Sequence, residues 1–213
     1  MNVPANGRCC HGVQVDIVSS GERYRASTVA AFEAAVLVRC TGVCGGGGRA
    51  RALGGTRARS PYAPSGMLAE FNRSVAAERL AELLGSAGHE ASVHRYTAGT
   101  RHRYEIFRVL ADERTLLFLD RAWAQGYGEL CGAPAEARST RQVRHSRQLA
   151  EAAWRGVLMV SGPARSGSPG LRVPDLDTAT VLMRAGRMMR LPVRMSTRPG
   201  GQLLLVMPAE AAA

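Results

Sequence analysis

Lysine is absent from this chain of 213 residues, so all 28 basic residues are arginines. Acidic residues number only 17, which leaves a formal net charge of +11. The codon bias of a GC-rich genome would account for part of the arginine, alanine and glycine content, but such a bias would not exclude acidic codons. A net charge this positive therefore favours binding to a polyanion such as nucleic acid over a basic surface that has no binding partner.

Aromatic residues make up only 5 % of the chain, so a core must be built mainly from alanine, valine, leucine and methionine. No run of eighteen apolar residues occurs, which predicts no membrane-spanning helix. The N-terminal stretch MNVPANGRCCHG lacks the apolar core of a secretion signal. We therefore expect a cytoplasmic protein that has no membrane partner and associates with the nucleoid.

The five cysteines are an odd number, and without a secretion signal they indicate reduced thiols. Cys40 and Cys44 would share one face of a helix, and Cys9, Cys10 and His11 would have to complete a metal site. No second C-x-x-C pair follows at zinc-finger spacing. Small buried thiols are the favoured interpretation, and we expect no metal and no cofactor.

The first half of the chain predicts the element order helix, strand, helix, strand, strand. The stretch STVAAFEAAVLVRCTG predicts a helix capped by Ser27 or Thr28 and ended by Gly42. A strand over Met67–Phe71 leads into a helix capped by Asn72. Its apolar face has helical spacing and consists of Val75, Ala76, Leu80, Leu83 and Leu84. Strands follow at ASVHRY and HRYEIFRVL, then a helix at ERTLLFLDRAWAQG capped by Asp112 or Glu113, then a loop over 126–142.

The same order returns after residue 143. RQLAEAAWRGVLMVSG predicts a helix with small residues on one side, and GLRVP predicts a strand. A helix capped by Asp177 and two strands, PVRMST and QLLLVM, complete the repeat. Small residues let two helices pack closely, so the first helices of the two repeats are expected to meet on a pseudo-twofold axis. QLLLVM is apolar after its first residue and is expected at a sheet edge that pairs with another copy.

The chain therefore predicts an α+β fold made of two α-β-α-β-β repeats with central packed helices. An irregular segment spans 1–25, and the first repeat spans 26–142 with a Gly/Arg-rich insert at 45–66. A shortened second repeat spans 143–213. The basic run RSTRQVRHSRQ joins the repeats, either as a phosphate-binding linker or as a plain solvated one. His94, His102 and His145 lie beside arginines and are expected at the surface.

The stretch AEAAWRGVLMVSG resembles the second LAGLIDADG helix of homing endonucleases. It is more similar to the equivalent stretch of the WhiA family, regulators of sporulation and cell division in Gram-positive bacteria. FEAAVLVRCTG resembles the first motif helix of that family, and the similarity covers about residues 26–207. The resemblance implies a LAGLIDADG fold that binds duplex DNA in transcriptional control. The family also has a C-terminal helix-turn-helix domain, and we expect no counterpart of it within residues 1–213.

LAGLIDADG endonucleases hold metal ions with an acidic residue placed just before the glycine that ends each central helix. The equivalent residues here are Thr41 and Ser161, and neither ionises. The nearest acids upstream, Glu33 and Glu151, lie roughly 12–15 Å away at 1.5 Å per residue. The resemblance therefore implies no catalytic residue and no enzyme, as in the WhiA family.

Arginines of the strands and of the basic run are the candidate DNA contacts. These residues are Arg101, Arg103, Arg108, Arg141, Arg144, Arg147, Arg172, Arg194 and Arg198. Side chains two residues apart share a strand face, which places Arg101 and Arg103 together. Two other functions stay open. One is a protein-interaction platform that forms homodimers or binds a WhiB-like iron–sulfur regulator, and the other is an active nuclease.

Overall fold

A computed structural model describes residues 20–44, 66–99, 103–132, 139–161, 170–198 and 202–206. The first repeat contains α1 (Ser20–Cys44), β1 (Met67–Phe71), α2 (Ser74–Ser86), β2 (Ala91–Ala98), β3 (Tyr104–Ala111) and α3 (Glu113–Tyr127). A π-helical turn follows at Gly128–Gly132. The second repeat contains α4 (Thr140–Ser161), β4 (Gly170–Val173), α5 (Leu176–Met188), β5 (Arg194–Arg198) and β6 (Gln202–Val206). The duplicated element order is thus confirmed, with α3 added to the first repeat.

The two central helices, α1 and α4, pack against each other through small side chains, as predicted. Gly156 of α4 lies so close to α1 that an added Cβ would stand 3.1 Å from Cγ1 of Val36. Ala152 and Ala153 are fully buried one turn earlier on α4. Small residues at this contact allow the backbones to approach, so the sequence of α4 sets the spacing of the helix pair.

Each repeat contributes one antiparallel three-stranded sheet. The first sheet has the order β1-β3-β2 and the second has the order β4-β6-β5. β6 is therefore a central strand with a neighbour on both sides. The expectation that QLLLVM forms an exposed edge was wrong, because a continuous apolar run such as LLLVM is also typical of a strand buried in the middle of a sheet.

Alternate side chains of β1 and β4 are buried against the helices, and the paired strands continue the two faces of each sheet. We call the face turned away from the helices the outer face. In the first sheet, Ala69 and Val109 are opposite each other on the helix side, and Glu70 and Arg108 are opposite each other on the outer face. In the second sheet, Leu171 and Leu205 take the helix side. The outer face of that sheet contains Arg172, Leu204, Arg194, Ser196 and Arg198.

Both central helices begin earlier than predicted. α1 begins at Ser20, so Ser27 and Thr28 lie inside the helix instead of capping it. α4 begins at Thr140, so most of the basic run and the end of the predicted loop over 126–142 are helical. A capping box explains this start, because the Gln142 side chain accepts from the Ser139 backbone N–H at 2.8 Å. The Ser139 hydroxyl in turn accepts from the Gln142 N–H at 3.4 Å.

The helix caps were predicted with mixed success. Asp112 caps α3 as predicted, accepting from the Thr115 N–H at 2.8 Å. The cap of α2 is Arg73 instead of Asn72, and it makes no side-chain capping bond. The cap of α5 is Asp175 instead of Asp177. Val75, predicted on the apolar face of α2, is exposed, and Ala77 takes its place in the core.

One continuous apolar core joins the two repeats around α1 and α4. Val181, Leu182 and Ala185 of α5 are buried in it, and Cys40 is buried as predicted. Within the described part of the chain, no helix is both long and apolar enough to cross a membrane. The predictions for the insert at 45–66, apart from Gly66, and for residues before Ser20 concern segments outside the described residues.

Candidate nucleic-acid interface

Three exposed arginines occupy the outer face of the second sheet. Arg172 is opposite Leu204, which is opposite Ser196, and Arg194 and Arg198 stand two residues to either side of Ser196 on β5. No described carboxylate forms an ion pair with any of these arginines. The guanidinium groups are therefore exposed on one sheet face, where they can donate hydrogen bonds to an anion.

The outer face of the first sheet is different, because its arginine is already engaged. Nε of Arg108 donates to a carboxylate oxygen of Glu70 at 2.9 Å. The same guanidinium lies over the ring of Tyr96, with Cζ 4.6 Å from the ring centroid. His94 stands opposite Arg108 on β2, and its Nε2 is 3.0 Å from the Ser92 hydroxyl. This face thus pairs its positive charge internally.

Four of the remaining predicted arginines are described, and none of these four lies within a strand. Arg103 is exposed just before β3, and Arg101 lies outside the described residues. Arg141, Arg144 and Arg147 are exposed on the first half of α4. Even Arg147 lies 14 residues before Ser161, about 21 Å along the helix axis at 1.5 Å per residue. The structure therefore separates two groups of predicted contacts. The strand group consists of Arg172, Arg194 and Arg198, and the helix group consists of Arg141, Arg144 and Arg147.

Among the described residues, the side chains at the ends of α1 and α4 include the hydroxyls of Thr41 and Ser161, whereas divalent cations such as Mg²⁺ are usually bound through carboxylates. The Thr41 hydroxyl donates to the Val38 carbonyl inside its own helix at 2.7 Å. One carboxylate does come near the end of α1, since Oδ2 of Asp175 accepts from Nη2 of Arg39 at 2.8 Å. Asp175 also caps α5 by accepting from the Thr178 N–H at 2.7 Å. A carboxylate already bonded to a guanidinium and a backbone N–H is a poor match for Mg²⁺ or Mn²⁺, which prefer free carboxylates.

Glu33, the acid nearest the end of α1 in sequence, is buried at the helix interface and has two arginine partners. Nη2 of Arg155 donates to Oε2 of Glu33 at 2.6 Å, and Nε of Arg79 donates to Oε1 at 2.9 Å. Burial alone would raise the pKa of Glu33, but the hydrogen bonds and charges of the two arginines outweigh it and lower the pKa below its usual value. The ion-pair network joins α1, α2 and α4, and both oxygens of Glu33 accept hydrogen bonds from arginine.

The described residues contain no cluster of three or more histidine, cysteine, aspartate or glutamate side chains that could hold a metal ion. The expectation that His145 lies at the surface was wrong, because its side chain is buried on the inner side of α4. Its Nε2 lies 3.3 Å from the Glu129 carboxylate in the π-helical turn. Its Nδ1 has no hydrogen-bond partner among the described residues. His94 is exposed as expected, and His102 lies outside the described residues.

Sequence reasoning missed Glu70 and Asp175, the two acids that decide what the neighbouring arginines can do. Glu70 precedes the α2 cap by three residues, and Arg172 precedes the α5 cap by the same three. Each also lies between two buried strand residues, so the two positions are equivalent in the repeats. The charge is negative at the first of these positions and positive at the second. A comparison of the charges at equivalent strand positions would have found this difference from the sequence.

Comparison with solved structures identifies the fold. The structure of I-DmoI in complex with DNA and Mn aligns over 85 % of this chain and 92 % of that chain, with a TM-score of 0.52 and 10 % identity. Mesophilic variants of the homing endonuclease I-DmoI align over 86 % and 91 %, with a TM-score of 0.50 and 12 % identity. The N-terminal LAGLIDADG domain of WhiA aligns over 91 % and 86 %, with a TM-score of 0.49 and 9 % identity. No protein-family model and no curated protein matches the sequence.

The chain therefore has the α+β fold of the LAGLIDADG homing endonucleases, as the sequence predicted.

Proposed function

We propose that this protein binds duplex DNA through the outer face of its second sheet and does not cleave it. The observation that carries the proposal is the group of three exposed arginines on that face, which have no acidic partner among the described residues. Guanidinium groups bind phosphate oxygens with paired donors, and phosphate contacts supply most sequence-independent affinity for DNA. I-DmoI, which has the same fold, binds DNA in its solved complex.

The proposed lack of cleavage rests on the side chains at the helix ends. Thr41 and Ser161 stand where the resemblance to LAGLIDADG endonucleases calls for metal-binding acids. Hydroxyls do not supply the negative charge that offsets dehydration of a divalent cation. Two acids lie nearby: Glu33 is buried, and Asp175 caps α5. Both form ion pairs with arginines.

A DNA-binding LAGLIDADG domain without nuclease activity fits a role in transcriptional control, as in WhiA-like regulators of sporulation and cell division. The sequence stretches that resemble that family support this part of the proposal. Phosphate contacts position a protein on DNA but carry no sequence information. We therefore expect weak sequence preference and association with the nucleoid.

The strand group and the helix group of arginines provide a matched test. One variant replaces Arg172, Arg194 and Arg198 with glutamine, and the other replaces Arg141, Arg144 and Arg147, so both lose the same charge. Fluorescence anisotropy of a labelled duplex across a salt series gives the slope of log K against log salt. Losing three phosphate contacts lowers the magnitude of that slope by about 2.7, at 0.9 per contact.

We expect that loss in the strand variant and little change in the helix variant. Equal slopes in the two variants would overturn the assignment to the second sheet. A larger loss in the helix variant would instead assign phosphate binding to α4.

A protein-interaction platform is the second candidate, and the outer face of the first sheet favours it. Tyr96 and Tyr104 are exposed there on adjacent strands, on a face whose arginine is already paired. A second copy of the chain or a WhiB-like iron–sulfur regulator would be the partner. Light scattering of the purified protein without DNA distinguishes the two candidates. A wild-type dimer that becomes a monomer when both tyrosines are replaced with serine would favour the platform.

A further inference from the structure

The two sheets carry opposite charges at equivalent positions of their outer faces. Glu70 follows buried Ala69 and precedes buried Phe71, while Arg172 follows buried Leu171 and precedes buried Val173. Each position lies three residues before the cap of the next helix. A duplex lying across both sheets would therefore meet a guanidinium on one side and a carboxylate on the other.

Glu70 also changes what Arg108 can do. Its carboxylate accepts from Nε of Arg108 at 2.9 Å, and the ring of Tyr96 covers one face of the guanidinium. The pair is partly exposed, with 30 % of the Arg108 side chain and 41 % of the Glu70 side chain accessible. A phosphate approaching Arg108 must compete with this carboxylate and is repelled by it at close range.

We infer that Glu70 makes DNA binding one-sided: the second sheet takes the phosphates, and Glu70 prevents Arg108 and the first sheet from doing so. This inference rests on the proposed DNA-binding function and adds a residue that limits it. The contact area is then one half of the pseudo-twofold surface, and the protein binds one half-site of a duplex. Glu70 acts by its charge and its bond to Arg108, so removing the charge should strengthen binding.

The Glu70→Gln variant tests the inference, and Glu105→Gln is its matched control. Glu105 forms an ion pair with Arg95 on the helix side of the same sheet, so its replacement removes the same charge from the other face. Affinity for a labelled duplex and its salt slope are measured for both variants and for wild type. Circular dichroism verifies that both variants are folded, as expected for exposed positions.

We expect Glu70→Gln to bind about tenfold more tightly at roughly 50 mM salt, with a slope steeper by about 0.9, the value for one new phosphate contact. Adding Arg108→Gln to this variant should return the slope to the wild-type value. Equal effects of Glu70→Gln and Glu105→Gln would overturn the inference, because net charge alone would then explain the gain. Unchanged binding in Glu70→Gln would overturn it as well.

Failure of the inference is distinguishable from failure of the proposed function. If wild type binds the duplex and Glu70→Gln binds no better, only the one-sided arrangement is wrong. If neither wild type nor Glu70→Gln binds duplex DNA at low salt, the proposed function is wrong and the inference falls with it.

Discussion

Glu33 of α1 and Arg155 of α4 form an ion pair across the central helices, with Nη2 of Arg155 2.6 Å from Oε2 of Glu33. The carboxylate is 1 % exposed, whereas 44 % of the Arg155 side chain is accessible. A carboxylate buried this deeply is tolerated because Arg155 and Arg79 satisfy both of its oxygens. The same contacts make Glu33 a structural group in the helix interface.

Replacing Glu33 with glutamine should therefore destabilise the fold by about 2–3 kcal/mol, less than for fully buried pairs because both arginines can reach water. The control is Glu151→Gln, since Glu151 forms an exposed pair with Arg147 at 3.3 Å. Exposed pairs contribute about 0–1 kcal/mol. Urea denaturation at neutral pH measures both variants, and equal losses would contradict the structural role of Glu33.

Lowering the pH should reduce the free energy of unfolding of the wild-type protein more than that of the Glu33→Gln variant. The pKa of Glu33 is lowered in the folded state, so its contribution is complete above the unfolded-state pKa of about 4.3 and disappears as pH falls through the folded-state pKa. The difference in unfolding free energy between wild type and Glu33→Gln should shrink between neutral pH and about pH 3. A difference that stays constant over this range would show that Glu33 ionisation does not stabilise the fold.

Gly126 and Gly85 are expected to respond to alanine in opposite directions. A Cβ at Gly126 would overlap the ring of Phe32, which is fully buried and stacked on Trp123. Gly126→Ala should cost about 1–3 kcal/mol through overpacking. Apart from the adjacent helix backbone, no atom of the described residues lies within 4 Å of a Cβ at Gly85 in α2, so Gly85→Ala should add up to about 1 kcal/mol. Thermal unfolding of both variants is the measurement, and a stabilising Gly126→Ala would contradict the packing described.

Two aspartate N-caps should contribute different amounts to the free energy of unfolding. Asp112 and Asp175 each accept the backbone N–H of a threonine three residues later, but only Asp175 also binds Arg39. Asp112→Ala should cost about 1 kcal/mol, the value of a cap. Asp175→Ala should cost about 2–3 kcal/mol, because the buried Arg39 guanidinium also loses its carboxylate partner. Matching losses in denaturant titrations would show that the Arg39 contact adds nothing.

Helix and strand positions followed from the sequence wherever periodicity is strong. β1 has the bounds predicted for it, and Leu80, Leu83 and Leu84 of α2 are buried as their spacing indicated. Gly88, with φ +81, follows the end of α2 in the left-handed conformation expected of a helix-ending glycine. In these segments local preference and tertiary packing agree, which is why a sequence pattern is sufficient.

Helix ends and sheet order depend on partners distant in sequence. Asp175 and Asp177 are each followed by a threonine three residues later, so local pattern cannot choose the cap of α5. Asp175 is the cap in the structure, where Arg39 from the other repeat also binds it. The start of α4 carried a usable signal in Ser139 and Gln142, but the density of arginine there favoured a linker.

The candidate interface was predicted in part. Arg172, Arg194 and Arg198 were named from their strands, and register places all three on one outer face. Pairing of Arg108 with Glu70 needed the register between β1 and β3, two strands separated by a whole helix and a further strand. Sequence alone gives the charge of each residue but not which charges meet across a sheet.

The most direct test of the central claim is a titration of wild-type protein into a labelled duplex with Mg²⁺ present, followed by gel analysis of the same DNA. We predict binding that weakens steeply as salt rises, with the duplex intact after incubation. Cleavage that depends on Mg²⁺ would contradict the claim that Thr41 and Ser161 leave the helix ends without a metal site. Absence of binding at low salt would contradict the assignment of the second sheet to DNA.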